Sequence, residues 1–536
     1  MTCSTSLFYS AVLSLSAAIA WGASPGLATP QPSPISSNDA GESPLLAQTT
    51  PPGEDIINLP DFESFDDPSL EGNELPNQPA YQTGSPQPGE APETLNNDPN
   101  PLRYPTQPEE VEIIGTQPIT LQQAIELAYE NSQTFQVALL QLEQSREVLR
   151  EAQAALLPTV DATASITGQD SASTNIGGIS VGGDFDTTLS GGVRVDYNLF
   201  TSGLRDANIQ AAERQVRLNE LTLEQTREEL RFNTTSDYYD LQEVDQQVRI
   251  NAAFLAEAQR NLEDTQIREE VGVGTRFDVL RAEVQVANAR QNLIQSQSQR
   301  RIAQRQLANR LNLPPTVDVS AVPPSLEDPW PLSLEESIVL AFQNRSELEQ
   351  QLVQREIGEQ QRRAALAAVR PQVSVFGNYT LQDNLSNSSG VTDNISVGAQ
   401  VTWRLFDGGA AAAQAAQRDR DIDISEETFS QTRGNIRFQV EQAFSNLSAN
   451  RANVRTAEIA LEQAQEALEL ANLRFNAGVG TQLDVITAQS ELTEAQSNLV
   501  SAVVGYNRAL ASMERAISNL PDGLTAERPL SGENEF

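Results

Sequence analysis

Two short stretches hold the residues that could do chemistry. Thr275 and Asp278 stand three apart in VGVGTRFDVL (271–280), and Thr481 and Asp484 repeat that spacing in AGVGTQLDVI (477–486). A hydroxyl followed three residues later by a carboxylate is the pattern of a helix start that caps itself, with the acid favoured by the helix dipole. The glycines just ahead of them, Gly272, Gly274, Gly478 and Gly480, permit a sharp reversal between antiparallel helices. Carboxylates can also bind cations or move protons, but the usual partners for catalysis are missing. The 536 residues include no His, a single Cys (Cys3), and 35 basic residues that are all Arg. That excludes a His or thiolate metal site, a Ser-His-Asp triad, a Cys nucleophile, a Schiff-base Lys and a phosphate-loop Lys. No paired acids in a predicted cleft recommend a carboxylate-dependent hydrolase, so neither an enzyme nor a cofactor is expected. With 73 acidic residues and a net charge of −38, the surface would repel polyphosphate, and no nucleic-acid partner is expected.

The elements that must position these turns come in two copies. ITLQQAIELAYEN (119–131) matches LSLEESIVLAFQN (332–344) at an offset of 213, which still holds at Pro158 and Pro371. YNLFTSG (197–203) matches WRLFDGG (403–409) at an offset of 206, and the same offset carries one glycine turn onto the other. The body is therefore a duplicated unit, 119–313 and 332–520, joined by a linker at 314–331, with a seven-residue deletion before the second LF element. Within each copy the punctuation predicts a 38-residue helical stretch stopped by Pro (120–157, 333–370), a 69-residue stretch without Pro (203–271, 409–477), and a 38-residue return (275–312, 481–518). At 1.5 Å per residue the long helices reach roughly 100 Å. Leu241, Val248, Leu255 and Leu262 recur every seven residues, and Leu447, Val454, Leu461 and Leu468 repeat them. Smaller residues lie between, as a closely approached coiled-coil seam requires.

Between the Pro stop and the LF element the period switches to two. Leu189, Val193, Val195, Tyr197 and Leu199 alternate with Ser190, Arg194, Asp196 and Asn198, and Ile395, Val397, Val401 and Trp403 alternate likewise in the second copy. Partner strands begin at Val160 and Val373. One apolar and one polar face is the pattern of outer-membrane barrel strands, and Tyr197, Tyr379 and Trp403 would suit an interfacial aromatic belt. Two hairpins give four strands, and an open four-stranded sheet cannot sit in lipid with bare edges. Closure around a pore then requires several copies, and three copies give twelve strands.

Outside the two copies, residues 7–20 form an apolar run of signal-peptide length, which predicts an atypical leader at 1–23 with no basic residue before it. Residues 1–118 hold 19 of the 29 Pro and 16 acidic residues against one basic, Arg103. Residues 24–118 therefore read as a disordered, acidic, Pro-rich tether, and 521–536 as a C-terminal tail.

The duplicated helix–hairpin–long helix–turn–helix order, LFTSG and LFDGG after the second strand, and the two glycine turns together resemble the TolC-like outer-membrane efflux family over roughly 119–520. The resemblance implies a mainly α protein with a transmembrane β part. It implies a homotrimer with a twelve-stranded barrel in outer-membrane lipid and a long α-helical barrel across the periplasm. It implies a passive exit duct for a tripartite multidrug pump or type I secretion, docked on a periplasmic adaptor and energised by an inner-membrane transporter. In the family, acids at the position of Asp484 and one turn later ring the inner mouth; here the later position is Thr487, so one ring is missing. The family's tip-locking Arg corresponds to Gly480, while Arg276 sits near Asp278 in the first copy. The turns at 272–275 and 478–481 are the implied adaptor docking points. The alternative is a soluble periplasmic coiled-coil adaptor or structural protein, which would share long hairpins but lack alternating membrane strands.

Overall fold

The computed structural model describes Leu95, Asn100, and residues 102–170, 174–176, 179–181, 185–386 and 390–518, all within the unit Asn77–Phe536. The expected leader, most of the tether and the C-terminal tail lie outside the described residues.

The first half runs β1 (Gly115–Ile119), α1 (Leu121–Asn131), α2 (Gln133–Ala154), β2 (Thr159–Asp170), the short β3 (Thr174–Ile176) and β4 (Ile179–Val181), β5 (Phe185–Phe200), α3 (Leu204–Glu270) and α4 (Arg276–Arg310). After β6 (Val317–Ala321) the second half follows: α5 (Leu334–Asn344), α6 (Ser346–Ala367), β7 (Gln372–Asn384), β8 (Thr392–Thr402), α7 (Ala410–Asn476) and α8 (Gln482–Ile517). Both long helices have 67 residues, about 100 Å at 1.5 Å per residue. Each starts at a glycine in the left-handed region, Gly203 (φ 88°) or Gly409 (φ 90°), where a side chain would be strained. Helix starts without glycine use capping boxes, Thr120 with Gln123 and Ser333 with Glu336.

Two expectations need correction. The 38-residue stretches before the Pro stops are not single helices. Ser132 and Arg345 leave helical geometry with ψ of 118° and 112°, and helices of 11 and 22 residues lie on either side. Ser132 recaps α2 by accepting from the Phe135 N–H, whereas Arg345 is held by Glu347 through two bonds of 2.9 and 2.8 Å. The end of the tether and the linker are also not wholly without structure. β1 and β6 pair in parallel, Gly115 opposite Val317 through Ile119 opposite Ala321. The Tyr238 hydroxyl donates to the Ile119 carbonyl and accepts from the Val322 N–H, so residues about 200 apart in sequence meet over one side chain.

The apolar stripes of the helices meet in two clusters, one per half. The first centres on Leu127, Tyr238, Leu241, Leu307 and Val319, with Leu95 packed into it. The second centres on Ile436, Val440, Leu447, Tyr506 and Met513. Leu241, Val248, Leu447 and Val454 of the heptad seams are all buried.

Candidate functional site

The strands form one antiparallel sheet in the order β2-β5-β7-β8. Residues directly opposite in an antiparallel ladder point to the same face, so the register sorts the two faces. Ala162, Val193, Tyr379 and Ile395 make one row, and Val160, Val195, Gly377 and Val397 make the next row of that parity. The other face carries Asp161, Arg194, Asn378 and Ser396, then Thr163, Gly192, Thr380 and Asn394. One apolar side chain breaks the polar face: Phe376 lies on Gly398, where a Cβ would come within 2.7 Å of the ring, and the Arg194 guanidinium sits 5.3 Å from its centroid. The apolar face has no cover in the chain: Ile166, Ile395 and Val397 are 68, 70 and 83% exposed. All four strands have 11 or more residues, enough for a tilted strand to cross a bilayer's hydrocarbon. No described helix is long and apolar enough to cross a membrane, so any spanning role falls on this sheet. Tyr197 and Tyr379 share the apolar parity, but Tyr197 is opposite Val375, four residues from Tyr379 along β7. Trp403 lies just past the end of β8. The three aromatics thus occupy successive levels, not one.

At the far end of the helices each turn is built from the glycines that the sequence singles out. Gly272 (φ 78°) and Gly478 (φ 73°) take left-handed geometry. A Cβ on Gly274 would lie 3.1 Å from the Glu269 nitrogen, and one on Gly480 2.9 Å from the Phe475 nitrogen, so the chain folds too tightly back on the helix end for a side chain. Thr275 accepts from the Asp278 N–H at 3.2 Å, while its own hydroxyl and N–H donate to the Asp278 carboxylate at 2.6 and 3.3 Å. Thr481 and Asp484 exchange the same backbone bonds at 3.2 and 2.9 Å. Hydrogen bonds from the Thr481 backbone and hydroxyl, helped by the Arg474 charge, hold the Asp484 carboxyl below its usual range. It is an exposed fixed negative charge at neutral pH, and Thr487, one turn on, is exposed as well. Arg276 turns to Glu269 on the preceding helix, at 3.7 Å.

Several residues the sequence reading missed tie the two turns together. Arg268 donates to Asn476 Oδ1 at 3.2 Å and lies 4.4 Å from the Phe475 ring centroid. Gln482 donates to Asn261 and Thr265, both at 2.7 Å. The available signal was a Gln and Asn at helical spacing beside the tips, but amides there read equally well as solvated surface.

An amphipathic sheet with bare edges, continued by helical hairpins about 100 Å long, defines a channel-type outer-membrane protein. The model of the outer membrane efflux protein family matches residues 124–313 and 337–519, and the chain belongs to that family. It is similar to the outer membrane efflux protein BepC of Brucella suis, 22% identical over 320 residues that cover 60% of this chain and 70% of BepC. It is similar to the outer membrane protein TolC of Vibrio cholerae, 23% identical, covering 74% of this chain and 90% of that protein. The fold is that of the outer-membrane channel OprN (TM-score 0.65, 20% identity, 74% of this chain and 89% of OprN). It is also that of VceC from Vibrio cholerae (TM-score 0.64, 20% identity, 74% and 96%).

Proposed function

We propose that this chain is the passive outer-membrane exit duct of a tripartite efflux pump or type I secretion system. Three copies close a twelve-stranded barrel, and their duplicated helical halves continue it as an α-barrel across the periplasm. The observation that carries the reading is the register: a sheet with an uncovered apolar face, a polar opposite face, and unpaired outer edges on β2 and β8. An unsatisfied backbone group in hydrocarbon costs several kcal/mol, so pairing β2 of one copy with β8 of another offsets a large penalty. The polar face then lines the bore and the apolar face meets lipid. The exposed glycine turns at 272–275 and 478–481 are the surface offered to a periplasmic adaptor, with an inner-membrane transporter supplying the energy. Asp484, repeated around the axis, charges the inner mouth, with Asp278 and Thr487 beside it and Arg276 drawn back to Glu269. Tyr197, Tyr379 and Trp403 meet the membrane at successive depths.

Planar-bilayer recording of the purified full-length protein tests this. Discrete cation-preferring conductance is expected, and Asp484→Ala should weaken the preference without abolishing conductance. A stable monomer in plain buffer that gives no conductance would refute the duct. Conductance whose ion preference ignores Asp484 would move the charged ring elsewhere.

A further inference from the structure

The halves are related by fixed shifts: 206 residues carry α3 and α4 onto α7 and α8, and 213 carry α1 and α2 onto α5 and α6. Within the chain, α3 packs against its own half and against α6 and α8 of the other half. By contrast, α7 packs along its length only against its own half, meeting α3 just at the tip through Arg268. Applying the same shifts to the contacts of α3 gives what α7 would meet on a second copy.

Leu218 and Leu221 of α3 are clustered with Val353 and Ile357 of α6. Shifted, Leu218 becomes Ile424, and Val353 becomes Leu140 of the next copy. Ile424 is 62% exposed and Leu140 61%, two large apolar side chains left uncovered by their own chain. The ion pair of Arg214 with Glu356, 2.9 Å, becomes Arg420 with the partner's Glu143. The bond from Arg268 to Asn476 becomes Arg474 with the partner's Glu270. Both are exposed, and neither makes an ion pair among the described residues. Arg508, paired with Asp240 and Glu243, becomes Ile302, 63% exposed, over Asn446 and Ala449. The operation thus brings together opposite charges and apolar groups that a single chain leaves apart.

We infer that a second copy of this chain docks along α7, seating Ile424 against the partner's Leu140 and Arg474 against the partner's Glu270. The seam is ionic at the tip and apolar at the level of Ile302, the reverse of the seam inside the chain. This assignment rests on the closed-ring reading above and names the surface that closes it.

The test uses the full chain with Cys3→Ser and paired cysteines. Ile424→Cys with Leu140→Cys should give, on oxidation, a reducible covalent trimer in denaturing gels. Leu221→Cys with Val353→Cys should link only within a chain. Phe438→Cys with Leu140→Cys, displaced by about 21 Å along the helix, should give no product. Native mass measurement runs in parallel. Trimers without the 424–140 product, or with equal yield from 438–140, overturn the seam but leave the ring standing. Absence of any trimer overturns both. At the tip, Arg474→Glu and Glu270→Arg should each raise open-channel time several-fold, and the double reversal should restore it. Unchanged single reversals, with trimers intact, overturn that pair.

Discussion

In the first half Asp237, 7% exposed at its side chain, is ion-paired with Arg310 and accepts from Gln306 at 2.8 Å; in the second half the equivalent positions are Ala443, Ala516 and Ser512. The second half instead buries Arg345 and Glu347, joined at 2.8 Å, with Arg515 reaching Glu347 at 3.1 Å. There the first half has Ser132, Thr134 and Asn309. Yet the helices match residue for residue in length, apart from one residue in α4 and α8. The lesson is that helix length, glycine turns and caps were held while the buried polar fastenings diverged. Backbone geometry and apolar stripes specify the repeated unit; each half secures its helix ends in its own way.

The largest expected asymmetry follows from Glu347. Burial alone would raise its pKa, but the hydrogen bonds and charge of Arg345, with Arg515, bring it down to about 2 from 4.5. Glu347→Gln leaves Arg345, 7% exposed, without its anion, and should cost about 3–5 kcal/mol. Thr134→Ala at the equivalent place should stay within about 0.5 kcal/mol. Urea unfolding followed by Trp330 emission reports on this cluster, because that indole donates to Ser337 at 3.1 Å. Since the folded pKa is depressed, the stabilisation is full above pH 4.5 and is lost as pH falls toward 2. Glu347→Gln should flatten that part of the stability profile; an unaltered slope would assign it to other acids.

A smaller difference is expected at the turns. Gly480→Ala places a Cβ 2.9 Å from backbone, against 3.1 Å for Gly274→Ala, so it should cost more within a range of about 1–3 kcal/mol. Hydrogen exchange at Val479 and Val273, whose N–H groups bond Arg474 and Arg268 carbonyls at 3.0 and 2.9 Å, resolves the two turns separately. Equal protection loss would show that the second turn relaxes as readily as the first. The smallest effect, and one that should be the same in both halves, is loss of a cap: Thr275→Ala and Thr481→Ala at about 1 kcal/mol each. Thr481→Ala should also let the Asp484 pKa rise toward its ordinary value, read from the pH dependence of ion preference. A cap loss felt in one half only would break the equivalence.

Much of this was legible in the sequence because the signals were local. The glycine turns, the Thr–Asp caps, the Pro stops and the period-two strands each declare themselves within ten residues. The break at Arg345 did not, since an Arg inside a helix-forming run carries no breaking signal; it depends on Glu347, Gln439 and the Ala516 carbonyl. The pairing of β1 with β6 was hidden for the opposite reason: two five-residue strands become a ladder only when Tyr238 and the helices around it bring them together. The Arg268 bridge between tips is likewise tertiary. The sheet's amphipathic register was predictable; the separate heights of Tyr197, Tyr379 and Trp403 required the ladder alignment.

The uncovered margins of β2 and β8 have a bearing on biogenesis. A solitary chain entering the bilayer would carry two rows of unpaired amides into hydrocarbon, while one held in water would display an apolar sheet prone to edge-to-edge aggregation. Insertion and association are therefore one coupled event. Excess or damaged copies that find no companions have no stable resting place in either medium, and quality control at the envelope can recognise them by that alone.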